Sequence, residues 1–280
     1  MKMTPEFQWV ALKEEASQQQ EGKSTAITSV PSVFPMELER IDLSKGKTIV
    51  YFGSLILGKG VQDLIVIAPF LLRDVPDLKI VISGTGKHGP FFQEMIRLLQ
   101  AGEERKFFAE IDRHAREKFA DPFRFLHGFF NSVSRSEYFS SCSSFPWSQR
   151  VIFPGYLKHP ALRYLLCLSD LAVFPSIVKE AYPLALLEAL SAGLFPVISD
   201  SAGLREGIDL LEGLFPKPVM RLMRIPMEEN KRVQEMKTNL LKALEIQDPG
   251  MRKQLVQYTR ENYSWNRVCE KLLDAFAIEA

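Results

Sequence analysis

Glu180 and Glu188 stand with seven residues between them in the stretch Phe174–Ile208, FPSIVKEAYPLALLEALSAGLFPVISDSAGLREGI. Leu184 to Ala192 are strong helix formers, and Gly193 sits where a helix C-cap glycine belongs. Glu188 therefore falls in the second turn of a helix, and Glu180 in the loop ahead of its first. A helix N-terminus offers free N–H groups and about half a positive charge, which makes it a ready anion site. A loop carboxylate, a helix N-terminus and a helix carboxylate together suit a ligand carrying both hydroxyls and phosphate. A nucleotide sugar fits that description.

The elements around these residues have a simple order. Leu171–Phe174 and Phe195–Ser199 are short apolar runs of the kind buried on both faces of a parallel sheet. Upstream, Lys47–Phe52 reads as a strand, Lys59–Leu72 as a helix that Pro69 kinks or restarts, and Leu78–Ser83 as a strand. Strand, helix and strand make a βαβ unit with a right-handed crossover. Residues 91–118 read as helical, Val151–Phe153 as a strand, His159–Ser169 as a short helix, and Asp209–Phe215 as a last short strand. Glu228–Gln247, Met251–Asn262 and Ser264–Phe276 complete the chain as helices, the last capped by Ser264. The expected fold is α/β: a doubly wound parallel, Rossmann-like sheet with a C-terminal helical extension. Its expected parts are a flexible lead-in over 1–46, a nucleotide-binding domain over 47–247 and C-terminal helices over 248–280. Residues 119–150, rich in aromatics and serines without a clear period, read as an insertion. Core or interface packing is the expectation for Phe123, Phe125, Phe129, Phe130 and Trp147.

The stretch around Glu180 and Glu188 resembles the E-x7-E segment of retaining glycosyltransferases with the GT-B fold, of the glycogen-synthase and family-four kind. The family pattern F-P-S-x-x-E-x-F-x-L-x-x-L-E-A-x-A-x-G-x-P-V-I is met by Phe174, Pro175, Ser176, Glu180, Leu184, Leu187, Glu188, Ala189, Gly193, Pro196, Val197 and Ile198. The resemblance covers about residues 47–276 and implies the C-terminal, donor-binding half of such a fold. By that resemblance Glu188 bonds the ribose hydroxyls of the donor, and Glu180 faces the donor sugar and its anomeric carbon. Amides from Tyr182 and Leu184 onward bind sugar hydroxyls and phosphate. Gly203 and Leu204 line the same cleft, and Tyr156 and Leu157 pass near the base.

The family also places a basic pair at the diphosphate, an arginine in a G-R-L turn and a lysine in the next E-K-G. Here those turns read Gly53-Ser54-Leu55 and Gly58-Lys59-Gly60. Lys59 matches the lysine, and Ser54 stands where the arginine is expected. A charge-assisted hydrogen bond is worth roughly 1.5–3 kcal/mol, so one absent cation matters. Gly84 opens a G-x-G-x-x-G loop, Gly84–Gly89, which the resemblance makes a turn at the mouth of the donor cleft. A lesser reading makes that loop a dinucleotide site, against which stands Pro90 directly after it.

Composition bounds the remainder. The 280 residues carry 35 basic and 34 acidic side chains for a net charge of +1, which gives nucleic acid no reason to bind. Three widely spaced cysteines form neither a disulfide framework nor a metal site, and the four histidines have no partner at metal spacing. No secretory signal and no spanning helix are expected, so the cytoplasm is the expected location, with peripheral membrane association left open. The expected function is a glycosyltransferase donor domain: retaining, metal-independent, without a cofactor, acting on a nucleoside-diphosphate sugar. The lead-in is too short to be an acceptor domain of roughly 100 residues or more, so that half is expected from another domain or chain. The alternative is a non-catalytic nucleotide-sugar-binding or regulatory module.

Overall fold

The structure, a computed structural model, describes residues 43, 45–115, 121–143, 145–181 and 184–278. The expected lead-in thus lies almost wholly outside the described residues.

Six strands form one sheet: β1 (Thr48–Phe52), β2 (Lys79–Ser83), β3 (Val151–Gly155), β4 (Leu171–Phe174), β5 (Phe195–Ser199) and β6 (Arg224–Ile225). Their order across the sheet is β3-β2-β1-β4-β5-β6, and every pairing is parallel. β1, β4 and β5 are buried at every position, as the apolar runs Leu171–Phe174 and Phe195–Ser199 implied for β4 and β5. β1 lies beside β4 with Ile49 opposite Leu171 and Val50 opposite Ala172. The strand order reverses between these two, so right-handed crossovers send the following helices to opposite faces of the sheet. The carboxyl ends of β1 and β4 therefore splay their loops apart and leave a crevice between them.

Thirteen helices surround the described sheet. α1 (Val61–Asp74) starts after Gly60, whose φ of 71° is left-handed, and runs through Pro69 without a break. α2 (Gly89–Gln100) and α3 (Glu104–Ala115) divide the segment read as helical over 91–118. Gly102, at φ 67°, ends the first and turns the chain into the second. α4 (Arg124–Ser132), α5 (Arg135–Cys142) and α6 (Trp147–Arg150) occupy the segment read as an insertion. Then come α7 (His159–Leu168), α8 (Leu184–Ser191), α9 (Ala202–Asp209) and α10 (Lys217–Leu222). α11 (Arg232–Glu245), α12 (Pro249–Tyr263) and α13 (Trp265–Ile278) end the chain. α1 packs against α11, and α8 packs against α12 and the strands β4 and β5.

The segment read as an insertion packs into the core, as expected for its aromatics. Phe123, Phe125, Phe129, Phe130 and Trp147 are all buried. Phe107, Phe108, Phe130, Tyr138 and Phe139 meet edge to face or stacked, with ring centroids 5.1–6.1 Å apart. The polar tips are satisfied: Tyr138 Oη donates to the Val66 carbonyl at 2.8 Å and Trp147 Nε1 to that of Cys142 at 2.8 Å.

The last strand lies elsewhere than expected. Residues 209–215 end α9, turn at Gly213 with φ 87°, and make only an isolated bridge between Glu212 and Phe215. The sixth strand is Arg224–Ile225, pairing with Ile198 and Ser199. A two-residue strand has too few positions to show a period.

Candidate functional site

The crevice between β1 and β4 is a cleft of about 170 Å³, lined by Tyr51, Phe52, Gly53, Lys59, Phe174, Ser176, Glu180, Leu184, Ala185 and Leu204. β1 delivers Tyr51 to Gly53, β4 delivers Phe174, and the two loops that follow supply the charged groups. Leu184 and Ala185 open α8 and Leu204 lies in the first turn of α9, so two helix N-termini border the space.

A backbone zipper holds the two loops in register. The Gly58 carbonyl, in a 3₁₀ turn at Leu57–Lys59, accepts from the amides of Ile177 at 2.8 Å and Val178 at 3.1 Å, and from Ser176 Oγ at 3.2 Å. A Cβ on Gly58 would stand 2.9 Å from a methyl of the Val178 side chain, so a larger residue there would press on that side chain. The result brings Lys59 Nζ to 2.5 Å from Glu180 Oε1, and Ser176 Oγ donates to the same oxygen at 2.6 Å. Their side chains are 27% and 19% exposed, so the pair is partly screened yet still open to a ligand. Tyr51 stands beside them and donates its hydroxyl to the Ser54 carbonyl at 2.8 Å. Burial, and then the negative charge of Glu180, hold its phenol protonated well above the usual range. Among the described residues the cleft thus carries one cation, one carboxylate and neutral hydroxyls, a donor set for phosphate and sugar hydroxyls.

The second loop on this rim is braced from below. The Gly203 amide donates to the Glu180 carbonyl at 2.9 Å, and a Cβ there would lie 2.4 Å from the Ala181 carbonyl oxygen. Gly203 therefore positions the carboxylate loop by backbone contact. Gly84 has the matching role on the first loop. A Cβ on Gly84 would stand 1.8 Å from the Gly53 carbonyl oxygen, and one on Gly86 2.4 Å from that of Leu55. Leu55 and His88 also exchange main-chain bonds with this region, and the Leu57 amide donates to His88 Nδ1 at 3.1 Å. The space over these glycines is thus filled by the Gly53–Leu57 backbone, and the G-x-G-x-x-G loop serves as its platform.

Of the expected site residues, Gly53, Lys59, Glu180, Leu184 and Leu204 line the cleft. Ser54 is exposed at its edge. Glu188 lies one turn beyond Leu184 on the same face of α8, 40% exposed at its side chain and 3.9 Å from His159 Nδ1. Tyr156 is exposed at the exit of β3, whereas Leu157 is buried. Tyr182 lies outside the described residues. Tyr51 was not foreseen. Its signal was a polar-tipped side chain at the carboxyl end of a strand, in KTIVYF. Among the described residues no cluster of His, Cys, Asp and Glu is arranged to hold a metal, and no helix is long and apolar enough to cross a membrane.

Residues 134–262 match the family model described as Glycosyl transferases group 1. Among curated proteins, none matches. Similar solved structures include Anabaena Alr3699/HepE in complex with UDP, 14% identical with a TM-score of 0.51 over 89% of this chain and 53% of that one. The catalytic domain of starch synthase IV from Arabidopsis thaliana, bound to ADP and acarbose, is 13% identical with a TM-score of 0.51 over 96% of this chain and 43% of that one. The chain spans about half the length of these two structures. The resemblance read from Glu180 to Glu188 is borne out: the family model matches the segment that carries it, and the six-stranded parallel sheet flanked by helices is the Rossmann-like α/β fold of a GT-B domain.

Proposed function

We propose that this glycosyltransferase domain binds a nucleoside-diphosphate sugar in the cleft between β1 and β4. It transfers the sugar, with retention and without a metal, to an acceptor presented by a separate domain or chain. The observation that carries this is the convergence of Lys59 Nζ, at 2.5 Å, and Ser176 Oγ, at 2.6 Å, on Glu180 Oε1 at the sheet's switch point, between two helix N-termini. Cleavage of the anomeric C–O bond leaves its electron pair on the terminal phosphate oxygen and positive charge on the sugar ring. Lys59 and the start of α8 stabilise the departing diphosphate, and Glu180 faces the cationic ring. The acceptor oxygen bonds the anomeric carbon from the side of the leaving group, and its proton passes to the phosphate oxygen just released. Glu188, on the outer turn of α8, bonds the ribose.

Thermal unfolding with UDP-, ADP- and GDP-sugars tests this. A ligand at a hundred times its dissociation constant stabilises by about 2.7 kcal/mol. One nucleotide family should raise the transition, and Glu188→Ala should abolish the rise; no rise with any of them refutes the reading. The second reading, a module that binds without transferring, is favoured by Ser54, which puts a hydroxyl where the resembled enzymes have a cation. It predicts the same rise, with no sugar transfer even in the presence of an acceptor domain.

A further inference from the structure

Directly beneath the cleft lies an ion pair that the chemistry above does not use. Arg232, the first residue of α11, and Asp63, in the first turn of α1, have wholly buried side chains, with Nε 2.8 Å from Asp63 Oδ2. Arg232 Nη2 also donates to the Pro175 carbonyl at 2.5 Å and to Ser199 Oγ at 3.2 Å. Nη1 lies 3.0 Å from the Met227 sulfur. One guanidinium therefore ties α1, the exit of β4, the end of β5 and α11 together. Its face stacks on the Phe125 ring at 4.5 Å, and Arg124 covers the same ring at 4.4 Å. Gly60, between Lys59 and α1, is left-handed, and a Cβ on it would stand 1.8 Å from the Pro175 oxygen. The lysine arm and the carboxylate arm of the cleft thus both hang from this point. Lys59 lies just before the helix that Asp63 anchors, and Ser176 and Glu180 follow the carbonyl that Arg232 holds.

We infer that Arg232, paired with Asp63 and floored by Phe125 of the inserted segment, is a positioning residue that sets the spacing between Lys59 and Glu180. The inference rests on the donor-site reading for its consequence in binding, though not for its geometry. A pair this deeply buried is a poor source of stability, because desolvation of both charges offsets their attraction. What the fork supplies is direction, since one planar group holds a carboxylate and a carbonyl on different elements at fixed angles. That also accounts for a role of the inserted helix α4: it presents Phe125 to the guanidinium. A Cβ on Gly128 of the same helix would stand 2.7 Å from the Glu229 carbonyl oxygen, so α4 is seated against the approach to α11.

The test compares the full chain with two variants. Asp63→Leu/Arg232→Met removes both charges and keeps apolar volume. Arg232→Lys keeps a charge but loses the fork. Calorimetric affinities for UDP, ADP and GDP are measured beside thermal unfolding and amide exchange at Ile177 and Val178, whose amides report the zipper. Both variants should unfold within a few degrees of the native chain. Both should exchange those two amides at least tenfold faster and bind the preferred nucleotide at least tenfold more weakly. Native exchange rates with native affinity in either folded variant overturn the inference. A native chain that binds none of the nucleotides overturns the donor reading instead, and exchange at Ile177 and Val178 then decides the positioning claim by itself.

Discussion

Lys59 and Glu180 are in contact, yet their loss should move nucleotide binding in opposite directions. In Lys59→Met the stem remains and the ammonium goes. A pair this exposed, 27% and 19% at the side chains, contributes no more than about 1 kcal/mol to stability, and Ser176 Oγ still donates to Glu180. The bound diphosphate loses a charge-assisted hydrogen bond worth roughly 1.5–3 kcal/mol. At about 1.4 kcal/mol per decade, UDP or its counterpart should bind roughly ten- to a hundredfold more weakly. In Glu180→Gln the amide oxygen still accepts from Ser176. The anion that competes for Lys59 and repels the diphosphate is gone, so the nucleoside diphosphate should bind at least as tightly as to the native chain. The nucleotide sugar should lose its advantage over the bare diphosphate in this variant, because the sugar is what Glu180 faces. Isothermal titration of both variants reads these values directly. If Lys59→Met binds within twofold of native, or if Glu180→Gln weakens the diphosphate as much as Lys59→Met does, the assignment of cation to phosphate and carboxylate to sugar is wrong.

Other outcomes follow from the same geometry. Gly84→Ala puts a methyl against the Gly53 carbonyl at a φ of 145° and should cost roughly 2–4 kcal/mol in urea unfolding, with nucleotide binding lost as the β1 exit shifts. Tyr51 and Tyr138 are both held protonated far above their usual value of 10.0, chiefly by burial. Above pH 10 the unfolded chain releases protons that the folded chain keeps, so each of these tyrosines should lower stability by about 1.4 kcal/mol per pH unit, and Tyr51→Phe should remove one such contribution from the alkaline slope. Burial pushes the Cys142 thiol up to about 12, whereas Cys269 is exposed. A thiol reagent should label Cys269 in the native protein and Cys142 only on unfolding, as peptide mass mapping would read.

The sheet was legible because its strands are buried on both faces. LAVF and FPVIS have no polar alternation to confuse with a helix, and Gly193, at φ 74°, ended α8 where its position implied. The candidate cleft was legible in its loops, since Lys59, Glu180 and Leu204, singled out by the resemblance of their short motifs, line it together. What stayed hidden depends on contacts across long sequence distances. Arg232 and Asp63 are 169 positions apart, and nothing local marks either as buried. Tyr51 joins the cleft only because the loop carrying Glu180 lies beside it. Arg224–Ile225 became a strand only because Ile198 and Ser199 offered an edge to pair with. The aromatics of 119–150 lacked a period because three short helices share them.

A crystal of the chain soaked with UDP, ADP or GDP would show the place and orientation of the nucleotide. Diphosphate oxygens should lie within about 2.7–3.2 Å of Lys59 Nζ, at the mouth of β1 and the start of α8, with the ribose hydroxyls on Glu188. Nucleotide density over the Gly84–Gly89 loop, or a diphosphate with no contact to Lys59, would contradict it.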